Sequence, residues 1–295
     1  MKRLSVLSLL LATFFAAEAS PLWMRYPAIS PDGRTVAFTY KGSIYTVPAA
    51  GGEARRLTSD ESYDYAPVWS PDSKTVAYAC DRFGNFDIFT VPASGGAPTR
   101  LTTHSASEMP YAFSPDGKKI YYGASISDPA ASALFPKGSM SELYAVSVDG
   151  GRPERVLATP AEAISFARDG KSFLYQDKKG GENIWRKHHT SSITRDIWRY
   201  DAATGKHVNL TARAGEDRNP VYADGDKAVY FLSERGGTFN VWSFPADSPA
   251  EAKQVTRFKT HPVRFLSAAA DGTLCFGYNG EIYTLSGSGS PRKID

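Results

Sequence analysis

Ala66-Pro67-Val68-Trp69-Ser70-Pro71-Asp72-Ser73-Lys74-Thr75-Val76-Ala77-Tyr78 opens a stretch that runs through a loop, Asp81-Arg82-Phe83-Gly84-Asn85-Phe86. It continues as Asp87-Ile88-Phe89-Thr90-Val91-Pro92-Ala93-Ser94-Gly95-Gly96 and closes at Arg100-Leu101-Thr102. Four apolar runs, Val68-Trp69, Val76 to Ala79, Ile88 to Val91 and Leu101, are separated by three turn signals. Each run is too short for a helix and rich in β-branched or aromatic residues, so the stretch reads as a four-stranded antiparallel meander. The preceding copy shows the first turn in its fullest form, Ser30-Pro31-Asp32-Gly33. Proline presets φ at the second turn position, Asp suits the third, and Gly tolerates positive φ at the fourth.

The same unit recurs along the chain. Turn signals return at Ser114-Pro115-Asp116-Gly117, in worn form at Ala167-Arg168-Asp169-Gly170, and at Asp271-Gly272, and Gly-Gly pairs at Gly51-Gly52, Gly95-Gly96 and Gly150-Gly151 mark later turns. Six copies follow, over about 23–60, 61–104, 105–159, 160–213, 214–258 and 259–295. One meander cannot bury both its faces alone, so repeats of this length stack into a ring. Second strands such as Val76-Ala77-Tyr78-Ala79 and Val229-Tyr230-Phe231-Leu232 are apolar on both sides, as strands sandwiched between neighbouring sheets should be. The reading is all-β: one six-bladed β-propeller of four-stranded antiparallel blades, each built from consecutive residues and closed without a shared strand. On this reading the first and last blades meet only by face packing.

Residues 1–19 combine Lys2-Arg3, an apolar run from Leu4 to Ala17 and small residues around Ala17-Glu18-Ala19, the plan of a secretory signal peptide cut before Ser20. The run is shorter than the roughly 20 residues that span a bilayer. The expected location is therefore exported, periplasmic or secreted, with no membrane span. Removing the leader lowers the formal net charge from +3 to +2, and no segment concentrates the basic residues, which excludes nucleic acid as a partner. Cys80 and Cys275 read as small buried hydrophobes at equivalent places in second strands.

In a meander, successive turns alternate between ends. The tight turns therefore share one face, and the loops between second and third strands share the other with the inter-blade loops. All the long loops lie on that second face, at residues 81–86, 124–140 and 177–195, and long loops on a rigid scaffold are where function concentrates. No nucleophile and base pair is visible, and Ser286-Gly287-Ser288-Gly289-Ser290 has linker composition. His188-His189 are adjacent on the chain, not at ligand spacing, and neither a metal nor a cofactor is expected. Asp60-Glu61, Asp64 and Glu216-Asp217 read as solvated loop charges. The richest segment is residues 178–195, which interleaves cations with Trp185. Together with Lys137 on the third-blade loop, Trp185, Arg186, Lys187 and Arg195 are candidates for binding a peptide, through charge-assisted hydrogen bonds to a carboxylate and apolar contact with a side chain.

The turn pattern is similar to that of the periplasmic TolB propeller and of prolyl oligopeptidase-type propellers. The opening Leu22-Trp23-Met24-Arg25-Tyr26-Pro27-Ala28-Ile29-Ser30-Pro31 and residues 182–198 resemble more closely the N-terminal six-bladed propeller of tricorn-type serine peptidases, over essentially the whole chain after the leader. The resemblance implies a propeller that channels peptides, with catalytic Ser and His in later domains beyond residue 295, flanking a PDZ domain and preceded by a seven-bladed propeller. It also implies basic residues on the third-blade loop holding a peptide's C-terminal carboxylate, whose counterpart here is Pro136-Lys137-Gly138. The partners expected are peptides and C-terminal peptidase domains. A free-standing scaffold that docks a protein on the long-loop face is the alternative.

Overall fold

The computed structural model describes residues 22–295 apart from 59–60, 127–139, 182, 184 and 187. Twenty-four strands form six separate four-stranded antiparallel sheets, each made of consecutive strands. The innermost strands are β1 (Arg25–Ile29), β5 (Asp64–Trp69), β9 (Glu108–Phe113), β13 (Ala161–Phe166), β17 (Asp217–Ala223) and β21 (Val263–Ala268). Moving outward, the second strands are β2 (Thr35–Tyr40), β6 (Thr75–Cys80), β10 (Lys119–Ala124), β14 (Ser172–Asp177), β18 (Ala228–Ser233) and β22 (Leu274–Tyr278). The third strands are β3 (Ser43–Pro48), β7 (Asp87–Pro92), β11 (Glu142–Ser147), β15 (Ile197–Asp201), β19 (Asn240–Pro245) and β23 (Glu281–Leu285). Short outer strands complete each blade: β4 (Arg55–Arg56), β8 (Thr99–Arg100), β12 (Glu154–Leu157), β16 (Lys206–Asn209), β20 (Lys253–Gln254) and β24 (Arg292–Lys293). The chain is thus a six-bladed propeller closed without a shared strand. A single 3-10 turn, Pro249–Glu251, is the helical element among the described residues, and no helix there is long and apolar enough to cross a membrane.

The core lies between blades. Val76, Ala77, Tyr78, Ala79 and Cys80 on β6 are all fully buried, because one face of the strand packs on blade one and the other on blade three. At the first turn of a blade, Ser30 Oγ donates to Asp32 Oδ1 at 2.5 Å and accepts from Thr35 N–H at 3.0 Å, while Asp32 also accepts from Arg34 N–H at 3.1 Å. Ser70 with Asp72 and Ser114 with Asp116 repeat the arrangement. These bonds, the Ser hydroxyl first among them, hold the Asp32, Asp72 and Asp116 carboxyls below their ordinary value. Ser73, where the repeat has Gly, sits at φ 60° and uses its hydroxyl to accept from Asp32 N–H of blade one.

The Leu-Thr pair that ends a blade, Val255-Thr256 in the fifth, has a specific task. Thr58, Thr102, Thr211 and Thr256 accept, through Oγ1, the N–H of Ile44, Ile88, Ile197 and Val241, which would otherwise be a buried donor beyond the short outer strand.

Ring closure differs from the expectation of face packing alone. Met24 N–H donates to Gly280 C=O at 3.0 Å, Gly52 N–H to Asp295 C=O at 2.8 Å, and Ala270 N–H to Pro31 C=O at 2.9 Å. The first of these repeats a bond found at other junctions, where Asp64, Glu108, Asp217 and Val263 donate to Gly42, Phe86, Arg195 and Phe239 of the preceding blade. The seam is therefore closed by the backbone bond that joins consecutive blades together with two further ones, which a sequence without register information does not reveal. Cys80 and Cys275 are free and buried, but not at equivalent places. Cys80 ends β6 opposite Asp87, whereas Cys275 is the second residue of β22 and pairs with Ser267.

Candidate functional site

The six innermost strands enclose a central channel of about 730 Å³, within the size range of ligand pockets. All six are bulged at the same register, so that an extra residue interrupts the ladder at Tyr26-Pro27, Ala66-Pro67, Tyr111, Ala163-Ile164, Asn219-Pro220 and Phe265-Leu266. In five blades the first bulge residue has positive φ without being glycine: Tyr26 51°, Ala66 55°, Ala163 53°, Asn219 48° and Phe265 58°. Such φ values are unfavourable for bulky side chains. Blade three has Pro110 at that position, whose ring fixes φ negative, and the extra residue there is Tyr111. Bulges re-aim side chains, and Tyr26, Tyr111 and Phe265 all line the channel.

At the tight-turn end the rim includes Pro31, Pro71 and Pro115. Arg168 of blade four crosses that rim, its backbone N–H donating to Asp226 and its guanidinium to Ala270 C=O at 2.9 Å. At the long-loop end one half of the mouth is charged. Arg195 is buried and donates to Glu216 at 3.0 Å, with Glu162 at 3.6 Å, and Arg218 donates to the same Glu216 oxygen at 2.6 Å. Burial alone would raise the Glu216 carboxyl, but the hydrogen bond and charge of Arg218 and the charge of Arg195 outweigh it and hold it below its ordinary value. Glu162 also meets Lys178 at 3.3 Å and accepts from Gln176 at 3.2 Å. Burial, reinforced by Arg218, pulls Arg264 down to about 10, still a cation at neutral pH.

The other half of the mouth is aromatic. Phe86, Tyr65, Tyr26, Phe265 and Trp185 form a run of neighbouring rings, with successive centroids 4.8, 5.5, 4.5 and 6.1 Å apart. They come from blades two, one and six, and the last from the blade-four loop. That loop reaches across the mouth. Its base is tied by Lys179, which donates to Thr194 C=O and Asp196, each at 2.7 Å. Farther along, Glu234 of blade five accepts the N–H groups of His188 at 2.6 Å and His189 at 3.1 Å. Trp185 then lies with its ring 5.2 Å from the Arg25 guanidinium and 5.4 Å from that of Arg264.

Of the residues expected from sequence to bind a peptide, Lys137 and Lys187 lie outside the described residues. Trp185 is 45% exposed at the mouth, and Arg186 is exposed beside it. Arg195 lines the channel but is only 2% exposed and committed to two glutamates, so it is not the solvated cation that a loop reading implies. The loop itself leans toward blades five, six and one. Asp64, Glu216 and Asp217, read as solvated charges, are buried. Asp217 meets Arg235 at 2.8 Å and Arg213 at 3.4 Å. The residues that sequence reasoning missed are Arg218, Arg264, Glu162 and the rings of Tyr26 and Phe265. All lie on inner strands, where bulges break the alternation that would have flagged their direction.

Fold and channel together define a six-bladed propeller with an open, side-chain-lined shaft. The chain belongs to the family of the tricorn protease N-terminal beta propeller domain, whose model matches residues 21–290. A curated relative, tricorn protease homolog 1 of Streptomyces coelicolor, is 27% identical over 286 residues, covering 94% of this chain and 25% of the relative. The chain thus spans about a quarter of that relative's length. The crystal structure of the tricorn protease superposes with a TM-score of 0.77 at 21% identity, covering 93% of this chain and 26% of that one. A putative TolB from Agrobacterium tumefaciens gives 0.58 at 18% identity, covering 94% and 82%. The propeller domain of the Trilobed protease from Pyrococcus furiosus, described as having an open velcro topology, gives 0.56 at 14% identity, covering 92% and 81%.

Proposed function

We propose that this chain is the non-catalytic propeller of an exported tricorn-like serine peptidase, and that its channel guides or gates peptides on their way to or from catalytic domains elsewhere in the protein. The observation that carries this reading is the blade-four loop crossing one mouth of a continuous channel in a propeller of the tricorn family. Export rests on the leader-like residues 1–19, and the tricorn-like partner domains rest on the family. The described residues supply walls, charge and aromatic surface.

A channel role is tested by narrowing the shaft. Ala112→Cys places a thiol on the channel wall, while the native Cys80 and Cys275 are buried. In the chain joined to its peptidase core, a bulky maleimide on that thiol should lower polypeptide hydrolysis several-fold, and the same label on exposed Glu53→Cys should not. Equal turnover in the two labelled proteins would remove the channel from the reaction path.

A second reading, a TolB-like scaffold that docks a protein partner, draws on Leu22, Trp23, Tyr63, Phe83 and Trp185. These are the exposed large apolar side chains among the described residues, and each is in a segment of the long-loop face. Under that reading, partner binding persists when the shaft is blocked.

A further inference from the structure

The channel wall is made of six sheet edges, and a free sheet edge is the common means by which proteins bind an extended peptide, through main-chain hydrogen bonds. Here that mode is obstructed in every blade. The bulges leave regular runs of only a few residues on either side, and Pro27, Pro67, Pro110 and Pro220 in four of the inner strands have no N–H to offer. A peptide in this shaft cannot extend a ladder along any wall strand.

What the mouth offers instead is side-chain surface. The aromatic run ends at Tyr26, Phe265 and Trp185, the three members that line the channel. Tyr26 and Phe265 are only partly covered, and Trp185 is 45% exposed although two guanidinium groups and Phe265 approach its ring. With this much of its indole open at a channel mouth, Trp185 presents apolar surface that Phe265 and the two guanidinium groups leave uncovered. The charges around it favour an anionic ligand. Among the described residues, Arg25, Lys178, Arg195, Arg218 and Arg264 face Glu162, Glu216 and Glu234, an excess of cations.

We propose that Tyr26, Phe265 and Trp185 form a subsite that takes an aromatic or branched apolar side chain of an acidic peptide, so that the channel selects peptides by side chain and not by main chain. The subsite rests on the peptide-channel reading above. An entering ring continues the edge-to-face series already present between Trp185 and Phe265, and its peptide stays within reach of the cationic surplus. Trp185 is the specificity-determining residue because it is the most open of the three.

The test is equilibrium binding to this chain of two fluorescein-labelled acidic hexapeptides that differ only in Phe or Ala at one position, read by anisotropy. Ring contacts of this kind predict that the Phe peptide binds about tenfold more tightly. Trp185→Ala should bring the two within about twofold, and Trp185→Phe should restore most of the preference. Equal binding of the two peptides, no binding of either at millimolar concentration, or a preference that survives Trp185→Ala would each overturn the subsite. So would sedimentation as a dimer that Trp185→Ala dissolves, since the rings would then serve a second copy of the chain. Equal binding would leave the shaft-blocking result free to succeed, so failure of the subsite and failure of the channel are separable.

Discussion

The two faces of the ring are made by the same meander, yet they follow different rules. On the tight-turn face the chemistry is repeated: Ser30 with Asp32, Ser70 with Asp72 and Ser114 with Asp116 make the same bonds in successive blades. On the long-loop face little is repeated. The crossing loop belongs to blade four alone, the Arg195, Glu216 and Arg218 cluster to the junction of blades four and five, and the aromatic run to blades two, one and six. Repetition within one chain marks what every blade needs in order to stack. Departure from the repeat marks what the molecule needs only once, and it is on that face that a ligand site is to be sought.

Arg195 tests this distinction most sharply, because it sits on the unrepeated face yet is built in like a core residue. Arg195→Ala leaves the buried Glu216 and the half-buried Glu162 without one of their cations and should cost about 3 kcal/mol in chemical denaturation. Trp185→Ala, farther along the same loop, should change stability by less than about 1 kcal/mol, as exposed positions do. If the two variants are equally stable, Arg195 is not the structural member of the pair.

Glu108 sharpens the comparison from the other side, as an acid inside the stacking interface of blades two and three. Burial, and to a lesser extent the neighbouring Asp87, pushes its carboxyl up to about 7 against an opposing hydrogen bond from Thr102. The folded chain therefore keeps a proton that the unfolded chain has released above its ordinary value of 4.5. This group's contribution to stability is full below that pH and is lost as pH rises through about 7. The loss should amount to about 3 kcal/mol. Glu108→Gln should flatten this part of the stability profile; a profile unchanged by the substitution would show that Glu108 ionises normally.

The smallest effect concerns the repeated Leu-Thr pair. Thr211→Val leaves Ile197 N–H without its acceptor and should cost about 1 kcal/mol, recovered by Thr211→Ser. Equal stability of the Val and Ser variants would show that the pair is there for packing alone.

How much of this was legible follows from where the information sits. Ser-Pro-Asp-Gly, the Gly-Gly pairs and Leu-Thr are local chemistry, so six blades of four strands could be read from the chain. The bulges were hidden because Tyr26, Ala66, Ala163 and Phe265 adopt positive φ without the glycine that usually signals it. The backbone bonds that close the ring, Met24 to Gly280 among them, depend on register across the whole chain. Arg195 looked like one more cation in a polar loop because its partners, Glu162 on β13 and Glu216 just before β17, come from segments that sequence spacing does not bring near. Trp185 was legible as a candidate, whereas its neighbours Tyr26 and Phe265 looked like ordinary strand residues.

The central claim, that the unrepeated face opens into a peptide channel, is tested most directly by hydrogen exchange of this chain with and without a saturating acidic, Phe-containing peptide. Protection should appear in the blade-four loop around Trp185 and in the inner strands β1, β17 and β21, with the tight turns and outer strands unchanged. Protection confined to the tight-turn face or the outer strands would contradict the account.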